Sequence, residues 1–254
     1  MQKTLLPDLF IVVFLLASAM PSAFAASSDP ELAQSILIKA DQIRFPPESF
    51  QVDVSITTTA AGESDELREY RVLSKGNENS VVMTTAPASE RGQILLMKGR
   101  DLWVFMPDIS QPIRLSMSQR LTGQVANGDL ARANFAGDYN ATILRTDTID
   151  GEKYYVMELI GVDRGVTYHK VLYWVRQSNF WPYRAEFYSL SNRLLKTARY
   201  ENFQPILGKQ RPTRLVMTDA LRTGEESVLE YSEMKLRELP DKIFTKDYLK
   251  KLEQ

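Results

Sequence analysis

The chain has 254 residues, a length that fits one or two domains. Hydrophobic residues make up 44% and charged residues 25%, which is the balance of a globular protein rather than a disordered one. The 31 basic and 32 acidic residues nearly cancel and form no long run of one sign, so we expect no nucleic-acid partner. With no cysteine and one histidine, the sequence excludes disulfides, thiolate catalysis and Cys- or His-rich metal sites, and we expect no cofactor.

The first 25 residues are typical of a cleavable signal peptide. Lys3 gives a short positive region, residues 9–19 form an apolar run, and Ala23, Phe24 and Ala25 form a small-residue cleavage site. The run is shorter than the roughly 20 residues that span a bilayer, so an uncleaved anchor is the weaker alternative. We therefore expect residues 26–254 to form one soluble domain in the periplasm of a Gram-negative-type envelope.

The start of that domain predicts one helix. The run Ser28-Asp29-Pro30-Glu31 is typical of a helix start, with a cap, a Glu three residues on and Pro in the first turn, and Pro46 and Pro47 end the pattern. The apolar side chains recur at helical spacing on one face: Leu32, Ile36, Ala40 and Ile43. We expect this face to lie against a sheet.

From residue 50 onward the apolar period changes from about 3.6 to 2, which indicates strands. Turn signals separate many of the segments, and no flexible linker divides them, so we expect one antiparallel meander that curls into a barrel or half-barrel. The predicted strands are 51–59, 69–74, 80–85, 93–97, 102–106, 141–147, 154–160, 167–175, 183–190, 194–203, 214–219 and 227–235.

Strand alternation predicts which side chains lie on the concave face. They are Val52, Val54, Ile56, Tyr70, Val72, Tyr155, Met157, Phe187, Leu215 and Met217. Trp103 and Phe105 add aromatic surface, and we expect all twelve residues to line a hydrophobic cavity. The alternative for each of them is plain core packing.

Residues 107–139 interrupt the alternation. Ser116 and Asp129 resemble helix caps, each followed by apolar residues, so we expect short helices here. A connection of this length is typical of a lid or a binding loop. The apolar side chains of the lid would be Met117, Leu121, Val125, Leu130 and Phe135. The alternative is a helical plug that fills the barrel mouth for stability alone.

No catalytic motif is present, so we predict no catalytic residue and no enzyme. Asp129 and Asp138 are candidates for a glycosidase-like acid pair, but a helix cap and a turn residue explain them more simply. His169 is explained more simply as a strand residue than as a general base.

Six segments carry a recognisable pattern: 102–107 (LWVFMP), 91–97 (RGQILLM), 116–139, 173–196 with its PYRAEFYSLSNRLLK core, 211–217 (RPTRLVM) and 244–249 (FTKDYL). Together they resemble the LolA/LolB-type periplasmic carriers of bacterial lipoproteins, above all the branch called outer-membrane lipoprotein-sorting proteins. The resemblance implies a mainly β fold, a single half-open antiparallel β-barrel of about 11 strands. Its concave apolar face would be covered by the helix 30–44 and by residues 116–135 of the insertion 107–139.

One position departs from the carrier pattern. In the carriers an Arg-Pro pair closes an early strand and the arginine helps to latch the lid, whereas the matching residues here are Lys75 and Gly76. Lysine lacks the planar fork of arginine. The candidates for a latch are therefore Lys75, Arg114 and Arg120.

The resemblance also implies a function. We expect a monomeric periplasmic carrier that takes the acyl chains of lipoprotein or lipid cargo from an inner-membrane exporter to an outer-membrane acceptor. One alternative is a periplasmic module that senses lipids or lipoproteins without transporting them. A carboxylate-dependent hydrolase built on Asp129 and Asp138 is the other, with less support.

Overall fold

The computed structural model describes residues 29–249, apart from residues 77, 108, 133 and 223. The predicted signal peptide lies outside the described residues. The α-helices are α1 (Pro30–Arg44), α2 (Asn127–Ala131) and α3 (Lys246–Leu249). The strands are β1 (Phe50–Thr59), β2 (Glu66–Lys75), β3 (Asn79–Ala86), β4 (Ile94–Lys98), β5 (Asp101–Met106), β6 (Ile109–Leu115), β7 (Arg120–Thr122), β8 (Val125–Ala126), β9 (Tyr139–Ile149), β10 (Glu152–Gly161), β11 (Lys170–Arg176), β12 (Pro182–Tyr188), β13 (Leu194–Ile206), β14 (Lys209–Asp219) and β15 (Glu226–Leu236).

Thirteen strands form one antiparallel sheet in the order β6-β5-β4-β3-β2-β1-β15-β14-β13-β12-β11-β10-β9. Two meanders, β1–β6 and β9–β15, join where the first strand pairs with the last. The strands β6 and β9 are the two edges, so the sheet does not close into a barrel. The predicted mainly β, half-open antiparallel fold is confirmed. The sheet has 13 strands rather than about 11 because the twelve predicted segments all pair and β6, placed by prediction in the insertion, extends one edge.

The helix α1 has the predicted bounds. Its N-cap is Asp29, whose Oδ1 accepts hydrogen bonds from the backbone N–H groups of Glu31 and Leu32 at 3.0 and 3.2 Å. The predicted apolar stripe is shifted, because Leu32 is 43% exposed and Ile43 is only half-buried. The buried face consists of Ala33, Ile36, Leu37, Ala40, Asp41 and Arg44. Two of these six side chains are charged.

The C-terminus of α1 is held by a buried arginine of β14. The guanidinium of Arg211 donates to the carbonyl oxygens of Gln42 and Ile43 at 2.8 and 3.1 Å. Helix ends leave such carbonyls without a partner inside the helix, and a cation there also faces the negative end of the helix dipole. The contact fixes the end of α1 against the sheet.

One face of the sheet, here called the inner face, carries the main hydrophobic core and is covered by α1 and the insertion. Nine of the ten side chains predicted from strand alternation are buried in this core, and Tyr155 is half-buried against it. The predicted register is therefore confirmed. A ligand-binding role for these residues stays a prediction.

The prediction that Trp103 and Phe105 share this face is wrong. Alternation along β5 sends Leu102 and Val104 to the inner face, so Trp103 and Phe105 lie on the opposite, outer face. There they pack against the C-terminal segment, which contributes Leu239, Ile243, Phe244 and Leu249. The Nζ atom of Lys246 lies 4.1 Å from the Trp103 ring centroid. The C-terminal segment is thus the cover of a second, smaller core.

We predict that Phe244→Ala lowers the free energy of unfolding by about 3 kcal/mol, because the ring is buried in the outer core and its removal leaves a cavity. The matched control is Leu236→Ala on β15, where the side chain is 51% exposed, with an expected change of at most about 0.5 kcal/mol. Urea denaturation measures both values. Equal values for the two variants would contradict the packing of the C-terminal segment.

Candidate functional site

The segment 116–138, called the lid below, crosses the inner face from the end of one edge strand, β6, to the start of the other, β9. The predicted helix after Ser116 is wrong. The chain instead forms a two-stranded ribbon, β7 and β8, followed by the single-turn helix α2. The ribbon turns at Gly123, which has φ +47°. A Cβ atom there would lie 2.3 Å from the hydroxyl oxygens of Thr58 and Ser227, so the close approach to the sheet requires glycine.

The five apolar side chains predicted for the lid face the sheet. Met117, Val125, Leu130 and Phe135 are buried in the inner core, and Leu121 is half-buried against it. The Phe135 ring meets the rings of Tyr139 and Tyr173 edge to face, with centroids 5.5 and 5.3 Å apart. The lid is therefore packed as part of the core.

Two of the three residues predicted to latch the lid lie outside it and pair elsewhere. Lys75 forms an ion pair of 2.5 Å with Asp241 of the C-terminal segment, and Arg114 pairs with Asp101 of the neighbouring strand. Arg120 is exposed on the lid itself. The prediction of a latch at Lys75 or Arg114 is wrong.

A buried ion pair of α1 makes the contact instead. The Oδ2 atom of Asp41 accepts hydrogen bonds from the backbone N–H groups of Phe135 and Ala136 at 2.9 and 2.7 Å. Its Oδ1 atom lies 3.6 Å from Nη1 of Arg44, whose guanidinium carbon is 4.8 Å from the Phe135 ring centroid and 5.4 Å from that of Tyr200. Asp41 is 3% exposed and Arg44 7%. The one available sequence signal was the spacing of this pair, which places both on the helix face that turns to the sheet.

Burial changes the chemistry of Asp41. The loss of hydration disfavours the charged form and raises the pKa of this carboxyl from 3.8 to about 6, while Arg44 and the two backbone N–H groups act in the opposite direction. The carboxyl group therefore titrates well above the usual range of aspartate.

A second polar cluster lies beneath α2. The Oδ2 atom of Asp129 accepts hydrogen bonds from the Tyr168 hydroxyl at 2.5 Å and from the backbone N–H of Ala126 at 2.8 Å. The Nζ atom of Lys196 lies 3.4 Å from the same oxygen and also donates to the Gln124 carbonyl. Burial raises the pKa of Tyr168, and the neighbouring Asp129 acts in the same direction. Here α2 is fastened to β13 and to the segment before β11.

Asp129 and Asp138 line the same small cavity, but the carboxylate of each is already engaged. Asp138 pairs with Arg132 and, at 3.2 Å, with Arg100. Asp129 has the partners described above. These contacts explain both residues as fasteners of the lid. His169 is exposed and lies just before β11, which begins at Lys170, three residues after the predicted start of that strand at residue 167.

Two cavities of about 20 Å³ each remain between the lid and the sheet. Arg44, Asp129, Phe135, Tyr168 and Met217 are among the residues that line one of them. Phe45, Val52, Val72, Leu130 and Tyr231 are among those that line the other. Each has room for about one water molecule. The lid therefore fills the predicted hydrophobic cavity in this conformation.

Two negative observations hold for residues 29–249 with the gaps given above. None of their helices is long and apolar enough to span a bilayer. They contain no group of three or more acidic or histidine side chains placed to hold a metal ion.

Sequence and structure comparisons place this arrangement in a known group. A family model described as that of an uncharacterized protein matches residues 76–251. A solved LolA superfamily protein from Nitrosomonas europaea is 72% identical, and the match covers 85% of this chain and 98% of that protein with a TM-score of 0.83. This chain belongs to the LolA superfamily.

Two solved structures of lower identity have the same LolA-like fold. A domain from Vibrio parahaemolyticus, named as an outer membrane lipoprotein-sorting protein, is 22% identical over 87% of this chain and all of its own, with a TM-score of 0.74. A DUF1329 family protein from Desulfovibrio piger is 19% identical over 88% of this chain and 100% of its own, with a TM-score of 0.75. No curated protein matches this chain.

The raised pKa of Asp41 predicts a pH dependence of stability. Between pH 3.8 and about 6 the folded protein holds a proton on Asp41 that the unfolded chain has lost, so stability from this group is full below pH 3.8 and falls as the pH rises to about 6. A pKa difference of about two units corresponds to a loss of about 3 kcal/mol in the free energy of unfolding. Urea unfolding of wild type and Asp41→Asn at pH 4, 5, 6 and 7 measures it. Between pH 4 and pH 7 we expect the free energy of unfolding of wild type to fall by about 3 kcal/mol relative to that of the variant. Parallel pH profiles would refute the assignment.

Proposed function

We propose that this protein is a periplasmic carrier that binds the acyl chains of lipoproteins or lipids on the inner face of its sheet when the lid is displaced. It would carry them from the inner towards the outer membrane. The observation that supports this most is the way the apolar inner face is covered: beside α1, one connecting segment lies over it and is fastened by buried polar groups at Asp41 and Asp129.

The inner face offers the surface that an acyl chain needs. Each methylene group removed from water contributes about 0.8 kcal/mol, so a chain of roughly sixteen carbons gains on the order of 10 kcal/mol when it is shielded. Pockets for ligands of moderate size have volumes of about 300–1,000 Å³, far more than the two cavities of about 20 Å³ under the lid. Binding therefore requires the lid to move and the chain to take the place of its side chains.

The polar fasteners favour a lid that opens over a permanent plug. Burying an ion pair such as Asp41 and Arg44 costs hydration energy that its Coulomb attraction roughly offsets, so such a pair adds little net stability. When the lid lifts, both ions regain water. A plug kept for stability alone would gain more from apolar packing at these positions. The polar groups also define one closed position, which is useful for a cover that must return.

Transport adds requirements beyond binding. Directional flow needs a donor and an acceptor that holds the chain more tightly than the inner face does, and we propose an inner-membrane exporter and an outer-membrane acceptor in these roles. The predicted signal peptide supports the periplasm, and the lipoprotein-sorting name of the Vibrio relative supports the cargo class. The protein would act as a monomer without enzymatic activity or a cofactor.

We predict that Phe135→Ala strengthens acyl-chain binding. The variant removes the lid's aromatic contact with the sheet, which raises the population of the open form and lowers the apparent Kd of a fluorescent fatty acid by about tenfold. Phe244→Ala is the matched control, because it removes an equally buried ring from the outer core. Its Kd should equal that of wild type.

The same titration separates the alternatives. Absence of binding in both wild type and Phe135→Ala would refute the acyl-chain carrier. Binding without transfer of the probe to acceptor vesicles would instead favour a sensing module.

A further inference from the structure

An open groove of about 300 Å³ lies on the surface beside the lid. One wall is the connection between β10 and β11, and the other is the turn between β12 and β13. Side chains from both walls and one lid residue line it: Ser118, Val166, Tyr168, Tyr188, Leu190 and Leu195. Its volume reaches the lower end of the range for ligand pockets.

The groove and the cavity under the lid share a wall. Thr167 and Tyr168 line both of them. On the inner side the Tyr168 ring packs against Phe187, with centroids 4.3 Å apart. These two residues are therefore what separates the outside groove from the covered inner face at this point.

The shared wall is tied to the lid. The Tyr168 hydroxyl donates to Asp129 of α2, and a Cβ atom on Gly128 of α2 would lie 2.0 Å from the Thr167 hydroxyl oxygen. The backbone of Gly128 in the lid thus contacts the side chain of Thr167 in the wall, and the hydrogen bond between Tyr168 and Asp129 joins the two parts. When α2 moves away, Tyr168 loses its hydrogen-bond acceptor and Thr167 loses its close contact with Gly128 at the same time. The wall and the lid would open together.

The rim of the groove is amphipathic. Leu190 is 68% exposed at the tip of the β12–β13 turn, while Arg164 and His169 give the opposite wall an exposed polar character. Asp163, the acidic residue of that wall, is paired with Arg100 at 2.6 Å. Leu190 can therefore contact the apolar chain of an amphiphile, while Arg164 and His169 provide a solvated polar surface for its headgroup.

We propose that this groove is the portal through which an acyl chain reaches the inner face, with Tyr168 as the gate and the polar end of the amphiphile held in the groove. The proposal rests on the proposed function and adds the route that the chain takes. It also assigns Tyr168 and Leu190 roles that core packing does not require.

The absence of cysteine allows a direct test by site-specific blocking. Leu190→Cys is labelled with a bulky maleimide, and Leu221→Cys is the matched control, since Leu221 is 60% exposed on the neighbouring β14–β15 turn and does not line the groove. Stopped-flow fluorescence gives the association rate of a fluorescent fatty acid. We expect the label at position 190 to slow association about tenfold or more and the label at position 221 to change it by less than about twofold.

A second variant tests the gate. Tyr168→Phe keeps the ring and removes the hydrogen bond to Asp129. The hydrogen bond holds the closed form, so its loss raises the population of the open form. We expect the association rate to rise and the apparent Kd to fall, each by about tenfold, while the dissociation rate stays nearly constant. A residue with a merely structural role would leave the association rate unchanged.

The outcomes separate the two proposals. If wild type binds the probe and both labelled variants bind at the same rate, the portal is refuted and the carrier stands. If the association rate is unchanged in Tyr168→Phe, the gate is refuted. If neither wild type nor Phe135→Ala binds an acyl probe, the carrier and the portal are refuted together.

Discussion

The carboxylate of Asp41 is the contact on which the closed structure depends, because three parts of the molecule meet there. It belongs to α1 and accepts hydrogen bonds from the backbone N–H groups of Phe135 and Ala136 in the lid. Its ion-pair partner Arg44 lies over one aromatic ring of the lid and one of β13. A buried charge is tolerated only with such partners. The position of the lid relative to the helix is thus set by electrostatics.

The need for a cover follows from the sheet. Since β6 and β9 do not pair with each other, the 13-stranded sheet leaves a wide apolar inner face. The helix α1 covers part of it, and the chain that joins the two edge strands covers the rest. Apolar side chains of this connection fill the space, whereas the buried carboxylates of Asp41 and Asp129 hold it in place. Such a cover is stable when closed, yet its fasteners regain hydration when it opens.

Local patterns predicted the sheet and α1 because the signals are local: alternation for each strand, and residues 28–31 and the prolines for the helix. They predicted the lid's place in the chain but not its secondary structure, because its ribbon depends on close contacts of Gly123 with Thr58 and Ser227, far away in sequence. The prediction for Trp103 is wrong because aromatic character does not determine which face of a strand a side chain occupies, whereas alternation along β5 does. The roles of Asp41 and Tyr168 depend on distant lid residues, such as Phe135, 94 positions from Asp41.

Native-state amide hydrogen exchange tests most directly whether the lid is a separable cover. Elements that open for function have lower local stability than the strands they cover. The account predicts that amides of residues 116–135 exchange through a local opening, at denaturant concentrations where those of residues 154–160 remain protected. If both segments exchange with the same free energy, equal to that of global unfolding, the lid is a permanent part of the core and the account is wrong.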